Sequence, residues 1–248
     1  MFQFDIMPYI DYDVIDKNEK WVMGYSDPTS LLYTITTKLD IATLYGNNAS
    51  SFDQQELHES LENCFEIIKG NIVKQHSFQY YEIKGNGKDD FSGYNLTEKV
   101  EWIKLKGHDG FNGRCIGGCI EVLLNLVGTK YDYTKEFIEK YKDDGIVWYF
   151  DVCEMDSAHL YLALLQLKYA GWFKYSKAFV FGRIAVRNEV FDMKYSEAVL
   201  RALSDIEDIS IIMEADIGHV APKMTIINGA VIHGNWENGK GQISFTLD

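Results

Sequence analysis

Cysteine is scarce in this sequence, with four residues among 248, and no two of them form a C-x-x-C pair. A disulfide framework or a zinc site needs cysteines at a dense or regular spacing, so we expect neither. No H-x-x-x-H or similar metal-binding pattern occurs either. The sequence therefore predicts reduced, mostly buried thiols, no metal ion and no other cofactor.

Basic residues are also few, since 24 Lys and Arg stand against 37 Asp and Glu, for a formal net charge of −13. Such a surface repels phosphate backbones and anionic lipids, which argues against a nucleic-acid or membrane partner. No apolar run reaches the roughly 18 residues of a membrane span, and the first residues do not resemble a signal peptide. We therefore predict a cytoplasmic protein whose 46% hydrophobic residues build a sizeable core.

The most informative stretch is KWVMGYSDPTSLLY at residues 20–33. It predicts a short apolar strand, a tight turn and a helix that begins at Pro28, with Asp27 available to cap the free N–H groups. A serine at a sharp strand-to-helix turn exposes its hydroxyl, and the next backbone N–H points to where an oxyanion forms. Ser26 is thus a candidate nucleophile and the Asp27 N–H a candidate oxyanion donor, while an ordinary helix start remains the alternative.

Strand and helix patterns alternate along the rest of the chain, which predicts an α/β fold with a parallel sheet. We expect a partial parallel-sheet nucleophile subdomain at 1–70, a β-rich linker at 71–110 and a second α/β subdomain with C-terminal β-strands at 111–248. The predicted strands of the two subdomains lie near 21–23, 40–45, 146–150, 178–181, 209–213, 224–227, 230–236 and 242–247. The predicted helices lie near 28–38, 50–70, 119–127, 157–170 and 196–203.

Polar side chains follow several of these strands, where α/β folds place their sites. Asp151 and Glu154 follow one buried strand and His219 follows another, so Ser26, an acid and His219 can form a triad in one of its known chain orders. Each residue also has a structural alternative, as a helix cap or a turn residue. Arg183 can face a substrate carboxylate or make an ordinary ion pair.

Several longer motifs occur in a fixed order: Gly24-Tyr25-Ser26-Asp27-Pro28-Thr29, Ile116-Gly117-Gly118-Cys119, Leu126-Val127-Gly128-Thr129, residues 145–154 with Gln166-Leu167, Phe181-Gly182-Arg183, and Ala215-Asp216-Ile217-Gly218-His219. Together they resemble the LD-carboxypeptidase family of serine peptidases, which includes muramoyltetrapeptide carboxypeptidase and the microcin C self-immunity peptidase. The resemblance runs from about residue 8 to the C-terminus.

The resemblance implies that Ser26 is the nucleophile and His219 the general base, with no metal, in a protein that is commonly a homodimer. The family has a glutamate that orients the histidine. In this chain Asp151 takes the place of that glutamate, and Glu154 is the alternative. The implied reaction is hydrolysis of a C-terminal amide in a small peptide. The implied substrate is a murein tetrapeptide that releases D-alanine, or a microcin-like peptidyl nucleotide.

The family also has strand-helix units before the nucleophile turn, including a Gly-Gly loop that helps to build the oxyanion hole. In this sequence only a few residues precede position 6, and the earlier strand-helix units are not among them. We therefore expect an N-terminally truncated member. Loss of one oxyanion donor typically lowers turnover about 100- to 1000-fold. The alternative to an active peptidase is therefore a catalytically inactive remnant that acts at most as a binding module. General esterase activity would use the same serine.

Overall fold

The computed structural model describes residues 2–85 and 91–247. In chain order the helices and strands are α1 (Gln3–Ile6), α2 (Tyr12–Lys17), β1 (Met23–Gly24), α3 (Thr29–Leu39), β2 (Thr43–Tyr45), α4 (Glu59–Ile68), β3 (Gln75–His76), β4 (Tyr80–Tyr81), β5 (Glu98–Lys99), β6 (Ile103–Lys106), β7 (Gly110–Cys119), α5 (Ile120–Leu123), α6 (Thr134–Lys140), β8 (Ile146–Asp151), α7 (Ser157–Tyr169), β9 (Ser176–Gly182), α8 (Tyr195–Ala202), β10 (Ser210–Ala215), β11 (Ile226–Asn228), β12 (Val231–Glu237) and β13 (Lys240–Thr246). None of the helices within these ranges is long and apolar enough to cross a membrane.

An eight-stranded sheet forms the centre of the molecule, in the order β3-β13-β12-β7-β8-β9-β10-β6. The four strands β7 to β10 are parallel, and their neighbours on both sides are antiparallel. The carboxyl ends of the four parallel strands consequently meet at one edge of the sheet, which is the usual position of a site in an α/β fold. The predicted α/β class with parallel strands is confirmed.

The central strands are buried on both faces. In β8, Trp148 and Phe150 pack in one hydrophobic cluster with α7 and α8, while Val147 and Tyr149 pack in a second cluster on the opposite face. A strand covered on both faces reads as a continuous apolar run, as β8 does in the sequence. Asp151 ends this strand and is itself fully buried.

A second sheet of three strands has the order β1-β2-β11, with β1 and β2 parallel and β11 antiparallel to β2. It carries the predicted nucleophile turn, because β1 runs directly into the residues before α3. The first turn of α3 packs on β7, where a Cβ at Gly118 would lie only 2.4 Å from the side chain of Thr29. The Thr29 hydroxyl also accepts a hydrogen bond from the Cys119 N–H at 3.1 Å. Helix α3 therefore joins the small sheet to the large one.

The predicted helix at 119–127 is confirmed only over α5, because Cys119 is the last residue of β7 and turns follow Leu123. Strand β7 itself was not among the predicted strands. An apolar run with paired glycines does not distinguish a buried strand from a buried helix by its periodicity. Gly117 shows why the strand needs its glycines, since a Cβ there would lie 1.9 Å from the Tyr149 carbonyl oxygen. Gly117 therefore serves close strand contact within the sheet, whereas Gly118 leaves room for Thr29 of α3.

The strands of the proposed linker at 71–110 are short, and β3 and β6 lie at the two edges of the large sheet. The remaining pair, β4 and β5, forms a separate two-stranded sheet. Residues 86–90 of this segment lie outside the described residues. The division into units at 1–70, 71–110 and 111–248 stays a prediction.

Candidate active site

Ser26 lies at the turn between β1 and α3 with a backbone φ of +67°, in the left-handed region that non-glycine residues seldom adopt. The turn also depends on Gly24, where a Cβ would lie 2.9 Å from Cβ of Pro28. Strained backbone at a serine between a strand and a helix is the local geometry of a nucleophile elbow. The predicted strand, turn and helix around Ser26 are therefore present, and its role as a nucleophile stays a prediction.

Asp27 does not cap α3 as its position suggests. Helix α3 begins at Thr29 with Pro28 at its N-cap and no side-chain cap, and the Asp27 carboxylate instead accepts a hydrogen bond from the Gln3 N–H at 2.5 Å. The Asp27 N–H has no hydrogen-bond acceptor in the part of the chain that the structure describes. An unpaired N–H directly after the serine can stabilise an oxyanion.

Asp151 and His219 meet at the carboxyl edge of the large sheet. Asp151 is the last residue of β8, and His219 lies in the loop that follows β10; its Nδ1 is 2.8 Å from Oδ2 of Asp151. The oxygen lies off the direction of the Nδ1–H bond, so this contact has ion-pair distance without hydrogen-bond alignment. Catalytic hydrogen bonds are often poorly aligned before substrate binds, so this geometry is compatible with a catalytic pair.

The backbone beside His219 approaches Asp151 very closely. Gly218 has φ of +98°, and a Cβ at this position would lie 2.1 Å from Oδ1 of Asp151. Only glycine combines that φ with that distance at low cost. Gly218 therefore lets the loop bring its histidine onto the carboxylate.

Tyr45 connects the serine turn to the acid. Its hydroxyl donates a hydrogen bond to Oδ2 of Asp151 at 2.5 Å and accepts one from the Ser26 N–H at 3.1 Å. Burial and the nearby Asp151 charge raise the pKa of Tyr45 well above its usual value, so its hydroxyl stays protonated and remains a donor. The bridge fixes the position of the strained turn relative to the carboxylate.

Glu154 is exposed, and no described carboxylate other than that of Asp151 lies within ion-pair distance of His219. The loop that carries Glu154 is held by Glu121, whose carboxylate oxygen Oε1 accepts the N–H groups of Cys153, Glu154 and Met155 at 2.9, 3.0 and 3.2 Å. Three N–H donors on one carboxylate oxygen make a strong local anchor. Asp151 is thus the acid that the geometry brings to His219.

Arg183 lies just after β9 but is buried, and one of its terminal nitrogens contacts Oδ1 of Asp216 at 2.8 Å. Asp216 also accepts hydrogen bonds from the Trp102 indole and the Phe78 N–H at 2.9 and 3.3 Å. Burial raises the pKa of Asp216, although Arg183 opposes this effect. The ion-pair alternative matches this geometry, and a contact of Arg183 with substrate stays a prediction.

The thiols near this edge are poor nucleophiles. Burial, together with nearby carboxylates, raises the pKa of Cys119 far above its usual value and that of Cys153 to about 12. A thiol with such a pKa contains almost no reactive thiolate at neutral pH. No group of three or more potential metal ligands was found among the described residues. The two thiols are therefore unsuitable nucleophiles, and the role of Ser26 as the nucleophile stays a prediction.

Sequence patterns missed Tyr45, Glu121 and Gly218. Tyr45 carries a positional signal, because it ends a predicted strand of the same parallel type that places Ser26. Gly218 stands beside His219 in one of the sequence motifs, although its contact with Asp151 is visible only in the folded chain. Glu121 carries no sequence signal.

A left-handed serine turn that Tyr45 joins to a buried aspartate in contact with a histidine, at the carboxyl edge of a parallel sheet, is typical of α/β hydrolytic enzymes. Sequence profiles of one family match the chain twice: the LD-carboxypeptidase N-terminal domain matches residues 3–46, and the LD-carboxypeptidase C-terminal domain matches residues 112–233. Together the two matches cover more than half of the chain. The chain belongs to the LD-carboxypeptidase family.

Individual relatives agree with this assignment. The microcin C7 self-immunity protein MccF of Escherichia coli is 25% identical over 247 residues, which cover 94% of this chain and 68% of that protein. This chain therefore spans about two thirds of the length of that relative.

Solved structures show the same fold. The wild-type apo structure of MccF has a TM-score of 0.77 at 20% identity, covering 97% of this chain and 71% of that one. Muramoyltetrapeptide carboxypeptidase from Oxalobacter formigenes has a TM-score of 0.71 at 17% identity, covering 98% and 75%.

Proposed function

We propose that this chain is a serine-type carboxypeptidase that hydrolyses the C-terminal amide bond of a small peptide. The observation that carries the proposal is the 2.8 Å contact between Asp151 and His219, at the sheet edge where Tyr45 joins the acid to the strained Ser26 turn. Family membership supports the same reaction class.

In the proposed reaction, His219 takes the proton of the Ser26 hydroxyl while the serine oxygen attacks the peptide carbonyl. The Asp27 N–H stabilises the oxyanion, and protonated His219 then gives its proton to the leaving amine. Asp151 stabilises the imidazolium and keeps the Nδ1 proton in place, so that Nε2 is the basic nitrogen. Water releases the acyl group in a second, equivalent cycle.

The substrate is a murein tetrapeptide or a peptidyl nucleotide. Supporting the second class, MccF has been solved in complex with aspartyl sulfamoyl adenosine and with glutamyl sulfamoyl guanosine. Supporting the first, a structural neighbour is a muramoyltetrapeptide carboxypeptidase. A cytoplasmic location and a homodimer complete the proposal.

The test is labelling of the folded chain with a fluorophosphonate probe, which traps only an activated serine. Wild type should label, whereas Ser26→Ala and His219→Ala should not. Asp151→Asn should lower the labelling rate by up to about 10⁴-fold, as loss of the acid does in other serine triads. Glu154→Gln should label at close to the wild-type rate, and the reverse result for these two variants would make Glu154 the acid.

Product analysis then separates the remaining alternatives. Release of D-alanine from a tetrapeptide, or cleavage of an aspartyl sulfamoyl nucleotide, supports a peptidase of the matching specificity. Hydrolysis of p-nitrophenyl acetate without any peptide cleavage would indicate a general esterase. A folded chain that neither labels nor cleaves would be a binding module, and the proposal would be wrong.

A further inference from the structure

Lys223 lies four residues after His219 and is only 4% exposed. Its Nζ stands 3.4 Å above the centroid of the Tyr25 ring. That ring packs edge-on against the imidazole of His219 at 5.1 Å, and Tyr25 directly precedes Ser26. The ammonium group of Lys223 is therefore separated from the proposed catalytic residues by a single aromatic ring.

The ammonium group has no counter-charge of its own. Within residues 2–85 and 91–247 Nζ forms no ion pair or hydrogen bond; its contact is the face of the Tyr25 ring, and Asp151 and Glu82 act on it only through space. By contrast, Arg183 contacts the Asp216 carboxylate and Arg187 that of Glu214. A mostly buried cation without an anionic partner is costly, which points to a ligand that supplies the missing acceptor.

The charge of Lys223 is nevertheless largely retained at neutral pH. Burial lowers the pKa of Lys223 to about 8, and the negative charges of Asp151 and Glu82 limit the decrease. The protonated form therefore predominates at pH 7. A charge that is shielded from water attracts an anion more strongly than an exposed one does.

We propose that Lys223 binds the free C-terminal carboxylate of the peptide substrate. This inference rests on the proposed function, because a carboxypeptidase must distinguish a chain end from an internal peptide bond. A carboxylate on the leaving residue lies one residue beyond the bond that Ser26 attacks. The ammonium group of Lys223, beside the serine turn, supplies the matching charge and three N–H donors.

The test measures binding in a Ser26→Ala background, so that no peptide is consumed. The two probes are a tetrapeptide that ends in D-alanine and the same peptide with a C-terminal carboxamide, titrated by calorimetry. Loss of one charge-assisted contact should weaken binding about 10- to 100-fold. We expect the free acid to bind more tightly than the amide by this factor, and Lys223→Met to remove the preference.

Two further variants make the result specific. Lys223→Arg keeps the positive charge and should keep most of the preference for the free acid. Lys130→Met is the matched control, because Lys130 is exposed and its Nζ stands 5.2 Å from the centroid of another tyrosine ring, that of Tyr131. It should bind both peptides as the background does.

Raising the pH gives an independent readout. Preference for the free acid should decline above pH 8 in the Ser26→Ala background, as Lys223 loses its proton, but not in the Lys223→Arg variant. The titratable groups that face this ammonium, Tyr25, Asp151 and Glu82, are the same in both proteins.

Equal weakening of both peptides by Lys223→Met would overturn the inference and leave Lys223 a structural residue. An unchanged preference in that variant, or no preference in the background, would overturn it as well. Because binding does not require an activated serine, failure here is distinguishable from failure of fluorophosphonate labelling, which would overturn the proposed function.

Discussion

Removing the Tyr45 hydroxyl is the sharpest perturbation of this site, because that hydroxyl is shared by the serine turn and the acid. Asp151 is fully buried, and its Oδ1 has no hydrogen-bond partner within the described residues, so Tyr45 is its neutral donor. A hydrogen bond to a charged group contributes about 1.5–3 kcal/mol, and the Ser26 N–H also loses its acceptor. We expect Tyr45→Phe to lower the free energy of unfolding by about 3 kcal/mol.

Tyr149→Phe is the matched control. The Tyr149 ring lies 5.4 Å from that of Tyr45 and is equally buried, but its hydroxyl donates to the neutral Oδ1 of Asn228 at 2.9 Å. Loss of this neutral hydrogen bond should cost only about 1 kcal/mol. Urea unfolding measures both variants, and the rate of fluorophosphonate labelling measures the site.

Tyr45→Phe should label at least about 10-fold more slowly than wild type, since a shifted acid and a relaxed serine turn both lose catalytic geometry. Tyr149→Phe should label normally. If Tyr45→Phe labels at the wild-type rate and is no less stable than Tyr149→Phe, the bridge does not hold Asp151 and the reasoning is refuted.

Two further variants test the packing around the site. Gly218→Ala places a methyl group against the Asp151 carboxylate at a positive φ, so labelling should fall about 100-fold. Its control is Gly70→Ala, at a φ of +87° in open space, which should lower the free energy of unfolding by only about 1–2 kcal/mol and leave labelling intact. Arg183→Met leaves Asp216 buried without its cation and should cost about 3–5 kcal/mol by urea unfolding at pH 8. The cost should be smaller at pH 5, because burial raises the pKa of Asp216 and its protonated form needs no cation; equal costs at both pH values would contradict this account.

Local sequence patterns predicted much of the fold. The apolar strand before Ser26 and the proline after it predict a strand-turn-helix, and the structure shows that arrangement with a left-handed Ser26. Strands such as β8 and β10 are continuous apolar runs bounded by polar residues, which a sequence displays directly. Because parallel strands end at the same edge, Asp151 and His219 could be expected to be neighbours before any coordinates.

Contacts between distant segments could not be predicted in this way. Tyr45 and Asp151 are 106 residues apart, and their hydrogen bond depends on how the small sheet sits against the large one. Nothing in the local pattern around Lys223 indicates that its ammonium group stops above the ring of Tyr25. The same limit explains why strand β7 was not predicted, since only the neighbouring strand reveals why Gly117 must lack a side chain.

The choice of aspartate at position 151 accounts for several of these contacts together. Relative to the glutamate that the family resemblance implies, aspartate is one methylene shorter, so the histidine must come closer to the strand end. Gly218 permits that approach, because its missing Cβ is the space that Oδ1 of Asp151 occupies. Tyr45 holds the other carboxylate oxygen from the opposite side, where it also reaches the Ser26 turn. The short acid at position 151 therefore reaches His219 because Gly218 leaves this space open, and a glutamate at position 151 would crowd the same space.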